Sequence, residues 1–285
     1  YSLALQKNYT AASIIDDSSV VFNIAGSESY KPVNYDGKFH GKTPLRFALA
    51  NSYNIPAVKV LSTVGVQNFI NQASKMGITT WKDRSRFGLS LALGSGEVKM
   101  TELAGAYTTF SQLGDRVVIN PILEVDNYLG ERVYSKKTEK IAVTEPKYAY
   151  LINQVLSDDN ARAPIFGTGS KLKISGRTVA VKTGTTNNLK DNWCIGWTPE
   201  IVVSAWVGNN DSTPMSWVAS GISGATPIWN RIVTTLLKDK KDVPWPIPTG
   251  VYRATACGGS EYFTDGREKN IICAPTPTPT PTPGP

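Results

Sequence analysis

Residues 179–210 read VAVKTGTTNNLKDNWCIGWTPEIVVSAWVGNN. In and around this stretch, RTVAVKT, NWCIGW and IVVSAWVG are short runs rich in β-branched and aromatic residues, separated by connections too brief to hold a crossover helix. Strands joined so closely run antiparallel, so a meander is expected here. The first strand ends in Lys182-Thr183-Gly184-Thr185. A lysine and two hydroxyls gather there, and Gly184 removes a side chain where another backbone or a ligand comes close. Such a strand end can offer an ammonium charge, hydroxyls and backbone N–H groups to an anionic peptide terminus. By itself, Lys-Thr-Gly is also what a polar strand running into a turn looks like.

Outward from the meander the period changes to that of helices. PIWNRIVTTLLK follows it, with proline near its start and apolar residues at Ile228, Ile232, Val233, Leu236 and Leu237, a pattern suited to covering one sheet face. Well before it, Thr43-Pro44 places an N-cap ahead of a proline at the first helical position, and LRFALA follows. A second helix is expected to start at Asn54, with Pro56 close behind, and to run to Gly65. A third, VQNFINQASKM, ends at Gly77. Ser52-Tyr53-Asn54 therefore falls in the break between two helices. A later helix, MTELAGAYTTFSQLG, carries Met100, Leu103, Tyr107 and Phe110 at helical spacing as a core stripe and stops at Gly114. No period of roughly 20 to 50 residues recurs, which argues against a solenoid or propeller.

A chain of 285 residues with 41% hydrophobic content can bury a sizeable core, and none of its apolar runs approaches bilayer length. The net charge of +7 suits either an anionic neighbourhood, such as a wall polymer or membrane surface, or a mildly basic surface with no partner. No Lys/Arg cluster interleaved with aromatics is present, so no nucleic acid is expected as a partner. His40 is the only histidine; it reads as a loop residue, and a multi-histidine metal site is excluded. With no glycine-rich phosphate loop either, neither a cofactor nor a metal is expected. Cys194, inside an apolar run, reads as a buried small hydrophobe. Cys257 and Cys273 flank a polar, glycine-containing loop, and a disulfide between them, with the oxidising compartment it needs, is expected. The closing PTPTPTPTPGP can only be an extended spacer.

Ser52-x-Asn54 followed 130 positions later by Lys182-Thr183-Gly184 is an ordered pair of elements characteristic of serine β-lactamases and penicillin-binding proteins. The chain resembles the transpeptidase domain of a class A, bifunctional penicillin-binding protein. The likeness extends through KPVNYDGKFHGKTPLRFALANSYNIPAV, LALGSGEVKMTELAGAYTTFSQLG, the stretch quoted above and GATPIW, over roughly residues 1 to 235. It implies an α+β fold: a five-stranded antiparallel sheet covered by helices, beside an all-helical subdomain, with the site between them. It also implies acyl transfer on peptidoglycan stem peptides through a serine acyl-enzyme, with β-lactam antibiotics as a second class of ligand. Ser52 would then relay a proton and Lys182 would keep the site electropositive, these two being the catalytic pair. Asn54 would bind the substrate amide, and Thr183, Gly184 and Thr185 its terminal carboxylate and carbonyl oxygen. A carboxypeptidase or β-lactamase of the same fold, and a non-catalytic wall-binding module, are the competing readings.

Two departures stand out. Val181 occupies the position before the motif lysine where the family usually has glycine. No Ser-x-x-Lys precedes Ser52: three positions after Ser2 and Ser13 stand Leu5 and Asp16. The resemblance therefore implies residues 1–240 as a transpeptidase domain without its nucleophile segment, 241–274 as a disulfide-bearing extension and 275–285 as a linker. It also implies an upstream glycosyltransferase domain and membrane anchor in a longer parent, on the cell-wall side of the plasma membrane.

Overall fold

The computed structural model describes residues 1–23, 28–186, 189–215, 223–257 and 259–273, so the Thr-Pro spacer lies outside the described residues. The chain opens with helix α1 (Ser2–Gln6), strands β1 (Ile14–Asp17) and β2 (Gly41–Pro44), and helices α2 (Leu45–Ala50), α3 (Asn54–Val64), α4 (Val66–Lys75) and α5 (Met100–Ser111). Four short strands follow, β3 (Asp115–Val117), β4 (Glu124–Asp126), β5 (Arg132–Ser135) and β6 (Lys140–Ala142), then helices α6 (Pro146–Leu156) and α7 (Asp159–Phe166). The meander comes next as β7 (Ala180–Thr185), β8 (Asp191–Trp197) and β9 (Val202–Gly208), covered by α8 (Ala225–Leu237) and followed by the hairpin β10 (Val251–Ala256) and β11 (Gly259–Thr264).

The meander is antiparallel in the order β7-β8-β9, pairing Lys182 with Ile195 and Cys194 with Ala205. Alternation along the strands builds two cores. On one face, Ala180, Ile195 and Trp197 pack with Tyr150, Leu151 and Val155 of α6. On the other, Val181, Cys194, Val203 and Ala205 pack with Trp229, Val233 and Leu237 of α8. Val181 is thus absorbed by the core behind the sheet, away from Lys182. Gly196 is required by α8: a Cβ there would lie 2.2 Å from the Trp229 ring. A separate helical lobe is held by Leu61, Ile70 and Leu91.

Several sequence expectations are corrected. Among the described residues the central sheet has three strands, where five were expected; the other strands form two-stranded ladders, β1-β2, β3-β6, β4-β5 and β10-β11. These strands are short and pair locally, and β11 packs on α6 instead of extending the sheet edge. Pro44 ends β2 and serves as the N-cap of α2. Met100 is 39% exposed, leaving Leu103, Tyr107 and Phe110 as the packed stripe of α5. On α8, Trp229, Val233 and Leu237 are buried while Ile228, Ile232 and Leu236 are exposed.

The region after α8 is laced to the rest. Trp245 is buried and its Nε1 donates to the Ser111 carbonyl at 2.9 Å. Arg46 forms a two-pronged pair with Glu261 of β11. Arg267 donates to the Leu5 carbonyl and, at 3.4 Å, to those of Gln6 and Tyr9, capping the end of α1. Cys257 and Cys273 are disulfide-bonded, with Cα atoms 5.2 Å apart, as the loop between them led one to expect.

Candidate active site

α2 ends at Ala50 and α3 begins at Asn54, so Ser52 stands at the turn between them. Its φ is +60°, in the left-handed region that costs a non-glycine residue about 1–2 kcal/mol. Hydrogen bonds hold it there. The Ser52 N–H donates to the Leu49 carbonyl at 3.2 Å and the Tyr53 N–H to that of Ala48 at 3.0 Å. Asn51, 3% exposed, donates to the Ala161 carbonyl at 2.8 Å and accepts from the Ile165 N–H at 3.0 Å, fastening the turn to α7.

β7 brings Lys182 to this serine. The ammonium Nζ lies 2.6 Å from Ser52 Oγ and 2.7 Å from the Thr183 carbonyl oxygen. Loss of hydration lowers Lys182 from 10.5 to about 8; the Cys194 thiol opposes that shift and the Arg162 guanidinium assists it. Cys194 itself is fully buried, and desolvation pushes its thiol up to about 12, which leaves it unreactive.

The remaining sequence-derived residues are placed less directly. Asn54 sits in the first turn of α3 and its side-chain amide donates to the Val33 carbonyl at 2.8 Å. Thr185 Oγ1 accepts from Asn192 at 3.3 Å. Strand alternation sets Thr183 and Thr185 on the side of β7 opposite to Lys182. A Cβ at Gly184 would make only an ordinary 3.6 Å contact with Trp193, so nothing in the protein itself demands glycine there. The chain's one Ser-x-x-Lys spacing, Ser170 to Lys173, follows α7, with its lysine 3.6 Å from Asp159.

Sequence reasoning missed the support behind Ser52-Tyr53-Asn54. Asn34 Oδ1 accepts from the N–H groups of Asn54 at 2.8 Å and Ile55 at 3.3 Å, while its Nδ2 donates to both oxygens of the fully buried Asp17 at 2.9 and 2.8 Å. His40 joins this group as a clamp. Its ring nitrogens face Asp17 at 2.6 Å and Asp36 at 3.1 Å, and the ring stacks on Tyr53 with centroids 3.8 Å apart. Asn34 belongs to a Asn-Tyr-Asp run that reads locally as a turn; its partner lies 20 residues on, beyond any spacing rule.

A serine at a strained helix-to-helix turn, met by a desolvated lysine from a sheet edge, is the arrangement that the resemblance to penicillin-binding proteins implies. The chain belongs to that family: the penicillin-binding protein transpeptidase domain matches residues 1–234. Penicillin-binding protein 1A of Neisseria meningitidis is 30% identical over 259 residues, covering 88% of this chain and 32% of that protein. Its counterpart in Aquifex aeolicus is 32% identical over 238 residues, covering 80% of this chain and 31% of that protein. The chain thus spans about a third of these relatives. Among solved structures, penicillin-binding protein 1A of Haemophilus influenzae superposes with a TM-score of 0.82 at 22% identity, over 94% of this chain and 47% of that one. The PonA1 protein of Mycobacterium tuberculosis, solved with penicillin V, gives 0.72 at 21% identity, over 87% of this chain and 69% of that one. These two likenesses establish the fold.

Proposed function

We propose that the chain forms the acyl-transfer site of a peptidoglycan D,D-transpeptidase, with the attacking serine supplied by sequence outside these 285 residues. The observation that carries this is the 2.6 Å contact between Lys182 Nζ and Ser52 Oγ, made by residues 130 positions apart. In the proposed reaction the outside serine adds to the carbonyl of the stem peptide's terminal amide bond. The tetrahedral adduct collapses to an acyl-enzyme and expels the terminal D-alanine, whose amine takes a proton relayed through Ser52. An amine of a second stem then displaces the serine, forming the cross-link. Lys182 supplies fixed positive charge throughout. β7 pairs only with β8 among the described residues, and its free edge suits an extended peptide whose carboxylate is received by the Thr183 and Thr185 hydroxyls. Asn54 binds the substrate amide.

The proposed setting is extracytoplasmic, consistent with the disulfide. No helix among the described residues is long and apolar enough to cross a membrane. An anchor and a glycosyltransferase domain are proposed for a longer parent on the likeness to penicillin-binding protein 1A, of which the chain spans about a third. Fluorescent penicillin added to that longer protein tests the reading; a folded protein that takes up no label sinks it. Product analysis with an amine acceptor then separates transpeptidation from hydrolysis by a carboxypeptidase or β-lactamase.

A further inference from the structure

Asn34 is 4% exposed and uses its amide in two directions at once. Its nitrogen donates to Asp17 and, at 2.7 Å, to the Lys38 carbonyl, and its oxygen accepts from the first two N–H groups of α3. Tyr53, the N-cap residue of α3, makes no side-chain capping bond. Asn34 does the capping from 20 positions away. Asp17 beneath it is fixed in turn by the His40 N–H at 3.1 Å and ring Nδ1 at 2.6 Å, and the neighbouring Val33 carbonyl holds the Asn54 amide. The loop through residues 33–40 therefore grips residues 53, 54 and 55, while α2 and α7 grip residues 51 and 52. A left-handed serine persists only when both flanks are held in this way.

We propose that Asn34, seated on the buried Asp17 carboxylate, is a positioning residue for the acyl-transfer site: it anchors the N-terminus of α3 and thereby fixes Ser52 against Lys182. The inference rests on the function proposed above. An amide suits the position because its NH2 donates to the carboxylate while its oxygen, a separate atom, accepts from the helix terminus. Asn34→Asp would set two carboxylates together. The exchange Asp17→Asn/Asn34→Asp restores one donor and one acceptor and puts the negative charge on the helix N-terminus, where it is favoured.

The test compares penicillin acylation rates in the longer protein for wild type, Asn34→Ala, Asn34→Asp and the exchanged pair, with Ile70→Ala in α4 as a remote core control. Asn34→Ala and Asn34→Asp are expected to slow acylation by about 10- to 100-fold through misplacement of Ser52, and to move the alkaline limb of its pH profile. The exchanged pair is expected to recover most of the rate. Ile70→Ala should lower Tm and leave both rate and profile in place. Unchanged acylation in folded Asn34→Ala overturns the proposal, as does a loss that Ile70→Ala reproduces with the same pH profile. Amide exchange at Asn54 and Ile55 in the 285-residue chain supplies an independent arm: faster in Asn34→Asp and slowed again in the exchanged pair. A folded exchanged pair in which those amides stay fast also overturns it. If the wild-type longer protein takes no penicillin, the functional reading fails, while amide exchange still decides whether Asn34 anchors α3.

Discussion

Lys182 illustrates how one side chain joins folding to chemistry. Its ammonium is drawn to Ser52 Oγ at 2.6 Å, yet burial lowers it from 10.5 to about 8. The unfolded chain therefore binds this proton more tightly than the folded one. Between about pH 8 and 10.5 stability gains from this residue as pH rises, and below about 8 its burial is a constant cost. Lys182→Met should flatten that rise, read as the difference between the two proteins' urea midpoints across the window; parallel curves would contradict it. In a nucleophile-bearing protein, Lys182→Ala is expected to slow penicillin acylation by roughly 100-fold with the fold retained, as removal of preorganised charge does. Near-normal acylation of the folded variant would remove Lys182 from the site. The pairing of Ser52 with Lys182 was legible in the sequence only as a resemblance, because residues 130 positions apart share no local signal.

At the scale of elements, the meander was legible because β-branched and aromatic runs with short connections leave few alternatives, and the helix stops at Gly65 and Gly77 were legible because both glycines take positive φ. What escaped is tertiary. The cap of α3 comes from Asn34, and α8 turns Trp229 inward and leaves Ile228, Ile232 and Leu236 exposed, a choice the apolar pattern does not specify. That choice hangs on Gly196. Gly196→Ala would drive a methyl to within 2.2 Å of Trp229 and should destabilise by about 1–3 kcal/mol or more, as overpacking does. Combining it with Trp229→Leu should cost less than the two changes added, a coupling that a double-mutant cycle by urea unfolding reads directly. Strict additivity would mean that the contact carries no strain. The disulfide acts on the β10-β11 hairpin in a different way. It closes a loop with a sequence separation of 16, and removing it through Cys257→Ala/Cys273→Ala should cost about 3 kcal/mol on loop-entropy grounds. Retention of the Arg46–Glu261 pair should keep the hairpin docked in the native state. Unchanged stability would show that the constraint is already present in the unfolded chain.

For the whole molecule, the two sheet-face cores, the helical lobe and the docked hairpin together deliver Ser52 and Lys182 to one place, and the remaining question is whether that pair can attack. Below about pH 8 Lys182 is an ammonium, a donor to Ser52 Oγ, and it cannot at the same moment remove the serine's proton. Three residues beyond Ser52 stands Ile55, buried in α3, so no second lysine is built into that turn to serve as base. The Ser52 backbone is held in the left-handed region by hydrogen bonds to the end of α2, and its hydroxyl faces the Lys182 ammonium. The 285-residue chain should therefore form no stable penicilloyl adduct at pH 7, and a longer protein that adds a Ser-x-x-Lys element should be labelled on the added serine. Intact-mass spectrometry after incubation with benzylpenicillin, followed by peptide mapping, decides the matter. A stoichiometric adduct on Ser52 in the 285-residue chain would make that serine the nucleophile and Lys182 its base, and would overturn the division of roles argued for this site.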